Sequence, residues 1–210
     1  MINLNQKLID LGYLKSPQII QAFEKIKRQD FVIQELIYQA EENVPLSIGH
    51  GQTISQPLTV AFMLELLNPQ KGQKILDIGS GSGWTTALLA EIVGPKGKVF
   101  AIERIQMLRT FGENNADKYN FVKSKRVIFK TGDGTEGLPK EAPFDRIHVG
   151  AAANRIPQAL LKQLAVNGKM VIPQGINFQD IVLIEKTGEK EYRQKSFPGF
   201  AFVPLIEDKK

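Results

Sequence analysis

Leu76-Asp77-Ile78-Gly79-Ser80-Gly81-Ser82-Gly83 decides the fold of this chain. The short apolar run Lys74 to Ile78 leads into it with the look of a β-strand. Trp84 to Val93 leaves it with helical spacing, and Gly94-Pro95 ends that helix. Strand, glycine turn and helix then recur. Lys98 to Ile102 reads as a second strand and Arg104 to Lys118 as a second helix. Arg126 to Thr131, Phe144 to Val149 and Lys169 to Ile172 read as further strands, with a helix over Ile156 to Leu164 between the last two. Such alternation predicts an α/β fold: a doubly wound, Rossmann-like, mostly parallel sheet with helices on both faces. Beyond Gln174 the pattern holds strands without helices. Asp180 to Glu185, Glu191 to Gln194 and Phe200 to Pro204 are expected as an antiparallel C-terminal edge.

Upstream of the loop the chain is helical in pattern. Ser16-Pro17 reads as an N-cap with proline at the first helical position, followed by Ile19, Ile20, Phe23 and Ile26 at helical spacing. Glu41 to Gly51 is rich in turn residues. Ser55 to Leu67 returns to helix, with Val60, Leu64 and Leu67 on one stripe, Phe62 and Leu66 beside it, and Ser55 or Thr53 as the expected cap. At 210 residues the chain can bury a core without covalent staples. It has no cysteine, which excludes disulfides and thiolate chemistry, and its two histidines, His50 and His148, leave little for a metal site, so none is expected. Both are expected to be structural, with His148 near the edge of the ligand site. No apolar run reaches membrane-spanning length, and Met1 to Asp10 lacks the character of a signal peptide; a cytoplasmic protein follows as the expectation. The net charge of +5 (27 basic against 22 acidic residues) is spread along the chain; its one cluster, Lys123, Lys125 and Arg126, reads as a solvated loop, so no nucleic acid is expected as partner.

The glycine loop sits where open α/β sheets bind ligands, at the carboxyl end of a strand. Glycines there let the backbone turn sharply and approach a ligand. Glu103, at the end of the next strand, can accept both hydroxyls of a ribose. The spacing Gly79-x-Gly81-x-Gly83 is not the dinucleotide fingerprint, and no Gly-Lys-Ser/Thr follows for a phosphate loop. Asp-x-Gly-x-Gly-x-Gly at a strand end resembles the first motif of class I methyltransferases, which implies S-adenosyl-L-methionine as cofactor and S-adenosyl-L-homocysteine as product. On that resemblance Asp77 suits the cationic methionine end, and Asp133 and Gly134, in Thr131-Gly132-Asp133-Gly134, lie near the adenine.

A second segment narrows the resemblance. Ile48-Gly49-His50-Gly51-Gln52-Thr53-Ile54-Ser55-Gln56-Pro57 resembles the signature of protein-L-isoaspartate O-methyltransferases. Glu103-Arg104, Gly132-Asp133-Gly134, Ala151-Ala152-Ala153, Val171-Ile172-Pro173 and Phe202-Val203-Pro204-Leu205 agree, from about Phe31 to Leu205. Trp84 stands where the family usually has tyrosine, Glu41 and Val44 where aromatic and basic residues are common, and Ile206 where many members carry threonine. The resemblance implies Ser55 at the catalytic centre, with Gln52, Thr53 and Ile54 on the substrate. It implies cofactor contacts from Asp77, Gly79, Ser80, Gly81, Ser82, Gly83, Trp84, Glu103, Arg104, Asp133 and Gly134. Residues 1–70 are then expected as a helical and substrate-loop segment packed on a cofactor-binding core, 71–210, in one compact domain. The implied reaction methylates the free α-carboxylate of L-isoaspartyl residues in damaged proteins and peptides, by a monomer. That carboxylate titrates near ~4, so no strong general base is needed. The rival readings are an RNA methyltransferase, a fold that binds without catalysing, and an enzyme acting on a small acid. No base-flipping Asn/Asp-Pro-Pro-Tyr motif supports the first, and the intact motifs argue against the second.

Overall fold

The computed structural model describes residues 4–207. Of the N-terminal stretch without signal-peptide character, Met1 to Asn3 lie outside the described residues. The chain begins with helices α1 (Leu4–Asp10) and α2 (Pro17–Lys25). Pro17 opens α2 as expected, but the Ser16 hydroxyl does not cap it. It donates instead to Glu65 Oε2 at 2.6 Å, while the Lys15 and Ser16 N–H groups both donate to Glu65 Oε1.

The turn-rich stretch and the segment after it form an antiparallel hairpin, β1 (Leu46–Gly49) and β2 (Gln52–Ile54), with Leu46 opposite Ile54. Gly49, His50 and Gly51 all have positive φ at its turn. Helix α3 (Pro57–Leu67) follows, with Val60, Leu64 and Leu67 buried as its stripe required. Neither Ser55 nor Thr53 caps it. Its N-cap is Gln56, without a side-chain bond, and Asn43 Oδ1 accepts from the Leu58 N–H at 2.9 Å. Proline at N1 has no N–H, so Asn43 satisfies the first helical donor there is.

The glycine loop joins β3 (Lys74–Ile78) to α4 (Trp84–Val93), the bounds the sequence suggested. Then come β4 (Lys98–Glu103), α5 (Gln106–Asp117), β5 (Val127–Thr131), β6 (Phe144–Val149) and α6 (Gln158–Gln163). Helix α6 starts later than expected because Pro157 holds Ile156 out of helical geometry. Strand β7 (Leu164–Gln174) is longer than the apolar run alone suggested. The antiparallel edge consists of β8 (Gln179–Lys186) and β9 (Tyr192–Phe200). The two short pieces expected there are corrected to one long strand, β9. It tolerates Pro198 because its outer edge has no partner strand among the described residues. Of the expected strand Phe200 to Pro204, only Phe200 is in β9; Ala201 to Pro204 crosses the strand ends, with Ala152 N–H donating to Val203 O and Leu205 N–H to Ala152 O, both at 2.8 Å.

The seven-stranded sheet runs β5-β4-β3-β6-β7-β8-β9, parallel from β5 to β7 and antiparallel beyond. Parallel strands buried on both faces read as continuous apolar runs, which is why β3 and β4 were legible. Alternate residues face opposite sides. Ile75, Val99 and Phe129 join one apolar cluster with α1 to α5, so the N-terminal helices share a core with the central helices. Leu76, Ile78 and Ile102 join the other with α6. The chain winds from β3 outward to β5, then returns to β6 on the other side of β3. That reversal opens a crevice at the carboxyl ends of β3, β4 and β6.

Candidate active site

A cavity occupies this crevice, enclosing about 970 Å³ including its open mouth, a size suited to a nucleoside-sized ligand. Four strand ends build it. After β3 come Gly79, Ser80, Gly81 and Ser82, followed by Trp84 of α4. After β4 come Glu103, Arg104 and Ile105; after β5, Gly132 and Gly134; from β6 onward, His148, Gly150 and Ala151. Gln52, Thr53, Ile54 and Ser55 of the hairpin segment close one side, and Phe202 to Ile206 another.

Glu103 is buried and its carboxylate is held by the backbone. Oε2 accepts from the Gly81 N–H and Oε1 from the Ile105 N–H, each at 3.0 Å. The second bond also explains why α5 begins at Gln106 rather than Arg104. Each oxygen keeps acceptor capacity for a ligand. The buried Ser80 hydroxyl and Trp84 indole N–H have no hydrogen-bond partner among the described residues. Unpaired buried polar atoms are costly, so two of them at one cavity suit a polar ligand there.

Three residues expected at the cofactor are not part of the cavity wall. Asp77 does not line the cavity. Strand alternation puts it on the face of Ile75, over α4, where it is fully buried. Its Oδ1 pairs with His148 Nδ1 at 2.7 Å and its Oδ2 accepts from the Thr86 hydroxyl. Asp133 is absent from the wall although Gly132 and Gly134 form part of it. Its Oδ1 accepts from the N–H and hydroxyl of Thr135, at 2.8 and 2.7 Å. Gly83 serves packing: at φ 84°, a Cβ on it would meet Gly112 O at 2.6 Å. Gly83→Ala therefore combines backbone strain with a clash against main chain. A loss of about 2 kcal/mol in urea unfolding is expected; an unchanged midpoint would show that α5 yields freely.

Ser55 is half-buried, and no protein group bonds its hydroxyl among the described residues. A second groove begins at Ser55 and Thr53 and runs past Gln56, Pro198 and Phe200. The two spaces share Thr53, Ser55, Gly150, Phe202 and Val203. Sequence reasoning missed what fixes this segment. The buried Arg28 guanidinium donates to the carbonyls of Ala40, Glu42, Val44 and Ser55, at 2.8 to 3.2 Å, and lies over the Trp84 ring. Nothing in the sequence around Arg28 distinguishes it from a surface cation. His50, expected to be structural, is an exposed residue of the hairpin turn with positive φ.

The fold and this crevice define a Rossmann-like class I methyltransferase. The family model described as protein-L-isoaspartate(D-aspartate) O-methyltransferase matches residues 2–210. Among relatives, the protein-L-isoaspartate O-methyltransferase of Methanopyrus kandleri is 46% identical over 97% of this chain and 89% of its own. That of Ignicoccus hospitalis is 44% identical over 98% of this chain and 96% of its own. A Plasmodium falciparum crystal structure, described as a protein-L-isoaspartate O-methyltransferase in complex with S-adenosyl-L-homocysteine, superposes with a TM-score of 0.88 at 26% identity, covering 99% of this chain and 100% of that one. The chain belongs to the protein-L-isoaspartate(D-aspartate) O-methyltransferase family.

Proposed function

We propose that this chain transfers a methyl group from S-adenosyl-L-methionine to the free α-carboxylate of L-isoaspartyl residues in damaged proteins and peptides. The observation that carries the reading is the meeting of two cavities at Ser55. One is lined by the glycine loop and Glu103; the other is an open groove where an extended peptide can lie. When bound, the cofactor supplies an electrophilic methyl group on a sulfonium, and S-adenosyl-L-homocysteine is what remains.

The chain's own residues bind and align. Glu103 takes the ribose hydroxyls on the acceptor capacity its backbone bonds leave free. Ser80 offers its unpaired hydroxyl to the polar end of the cofactor. The acceptor carboxylate is already ionised near neutral pH, so the site needs no base. Among the described residues no side chain bonds the Ser55 hydroxyl. Ser55 donates to the acceptor carboxylate and holds one oxygen toward the methyl carbon. Alignment of this kind can supply roughly 7–11 kcal/mol. The methyl ester then closes to a succinimide by attack of the neighbouring amide nitrogen, with loss of methanol, outside the enzyme's chemistry.

The remaining readings belong here too. Both cavities are built by one chain, as a monomeric enzyme requires. No described helix is long and apolar enough to cross a membrane, and we place the protein in the cytoplasm. Of the basic cluster, Lys123 pairs with Asp117 at 3.4 Å and Arg126 lies over the Phe121 ring, in keeping with a solvated loop.

The test uses methyl-labelled cofactor and two peptides identical except for L-isoaspartate or L-aspartate at one position. Label on the isoaspartyl peptide alone, later released as methanol, is the expected result; label on neither peptide overturns the acceptor. Ser55→Ala is expected to lower kcat/KM for the peptide about tenfold, with cofactor affinity unchanged. Unaltered peptide kinetics would remove Ser55 from the mechanism.

A further inference from the structure

His148 is buried, yet its ring forms part of the cavity wall. Its Nδ1 pairs with Asp77 Oδ1 at 2.7 Å, and the other Asp77 oxygen is occupied by the Thr86 hydroxyl. A carboxylate only accepts, so Nδ1 carries a ring hydrogen, and the tautomer this pairing fixes has its lone pair at Nε2. No described protein group bonds Nε2. A Cβ built on Gly150 would stand 3.1 Å from the Gly79 carbonyl oxygen and 3.7 Å from His148 Cε1. The Gly79 oxygen and the His148 ring therefore border the same corner.

The shape of the site says which part of the donor reaches that corner. The acceptor groove joins the cavity at Thr53, Ser55 and Gly150, so the reacting methyl lies there. Glu103 marks the ribose. The sulfur and the amino-acid chain beyond it then lie on the Gly150 side of Glu103. An ammonium group there needs acceptors, and the corner offers a carbonyl oxygen and a ring nitrogen, with the Asp77 carboxylate behind the ring.

We propose that His148 accepts a hydrogen bond at Nε2 from the α-ammonium of the donor's amino-acid end, and that Asp77 acts on the ligand only through His148, by fixing its tautomer. This rests on the cofactor reading above. Asp77 and His148 thus form one positioning unit. It explains why an acidic residue stands before the glycine loop although its carboxylate does not reach the cavity.

Two substitutions divide the ring's functions. Asparagine can place an amide nitrogen near Nδ1 and keep the bond to Asp77, but offers nothing at Nε2. Glutamine can place a carbonyl oxygen near Nε2 but gives up the bond to Asp77. Calorimetry without peptide would compare S-adenosyl-L-homocysteine with 5′-methylthioadenosine, which lacks the amino-acid end. His148→Asn is expected to bind S-adenosyl-L-homocysteine about tenfold more weakly, and 5′-methylthioadenosine within about twofold of wild type. His148→Gln is expected to recover most of the loss. His148→Asn binding both nucleosides like wild type would overturn the proposal, as would an equal loss for both, which is the mark of a packing residue. His148→Gln as weak as His148→Asn would overturn the hydrogen bond. Wild-type protein binding neither nucleoside would instead remove the cofactor reading on which the proposal stands.

Discussion

Glu103→Ala is expected to weaken S-adenosyl-L-methionine binding about a hundredfold, read by calorimetry in the absence of peptide. A carboxylate bonded to two ribose hydroxyls gains roughly 1.5–3 kcal/mol from each, so losing both costs about 3 kcal/mol or more. The carboxylate is pre-positioned: it is buried, and the Gly81 and Ile105 N–H groups hold its two oxygens. Little entropy remains to be lost when a ligand arrives. Those backbone bonds also mean that alanine loosens the glycine loop. Glu103→Gln separates the effects, because it keeps the shape but turns an NH₂ toward one backbone donor. A loss below about fivefold in Glu103→Ala would place the ribose elsewhere.

Arg28→Met is expected to destabilise the protein by about 4 kcal/mol and to raise the peptide KM more than the cofactor dissociation constant. Removing the guanidinium strips hydrogen bonds from the carbonyls of Ala40, Glu42, Val44 and Ser55. A buried carbonyl left unpaired costs about 1–3 kcal/mol, less where water reaches it, as beside exposed Glu42 and Val44. Burial lowers the Arg28 pKa to about 10, and the charge of Glu41 opposes the shift. The group stays protonated at neutral pH. Urea unfolding measures the first effect and peptide kinetics the second. Arg28→Lys keeps the charge without the planar fork and should recover only part of both. Full stability in Arg28→Met would show that the segment holds its own shape.

The parallel half of the sheet was legible because its strands are buried on both faces and its helices carry apolar stripes. Both patterns are local. Glu103 and the glycines were legible because a ligand at a strand end demands particular residues at particular offsets. What escaped depended on distant partners. The β1–β2 hairpin left only a four-residue alternation, with Leu46 and Ile48 inward, and a Gly-His-Gly turn that looked like loop. The cap of α3 comes from Asn43 rather than from its own first residues, because Pro57 has no N–H to cap. Asp77 was read as a ligand contact from its place before the loop. Strand alternation sends it to the opposite side, and only the pairing of Asp77 in β3 with His148 in β6 reveals its partner. Arg28 acts across 27 residues on Ser55, a relation no periodicity records.

The contact between Gly83 and Gly112 limits how this protein can change. At most core contacts a larger residue on one side is absorbed by a smaller one on the other. Here a Cβ on Gly83 would meet Gly112 O at 2.6 Å, and one on Gly112 would meet Gly81 O at 2.8 Å. Neither partner can shrink, so no compensating substitution exists. The spacing between the first turn of α4 and α5 is thereby closed to mutational drift, and the width of the cofactor loop with it. Tolerance for a bulkier or differently shaped donor has to come from the opposite wall, where Phe202 to Ile206 and the hairpin carry side chains that can be exchanged one at a time.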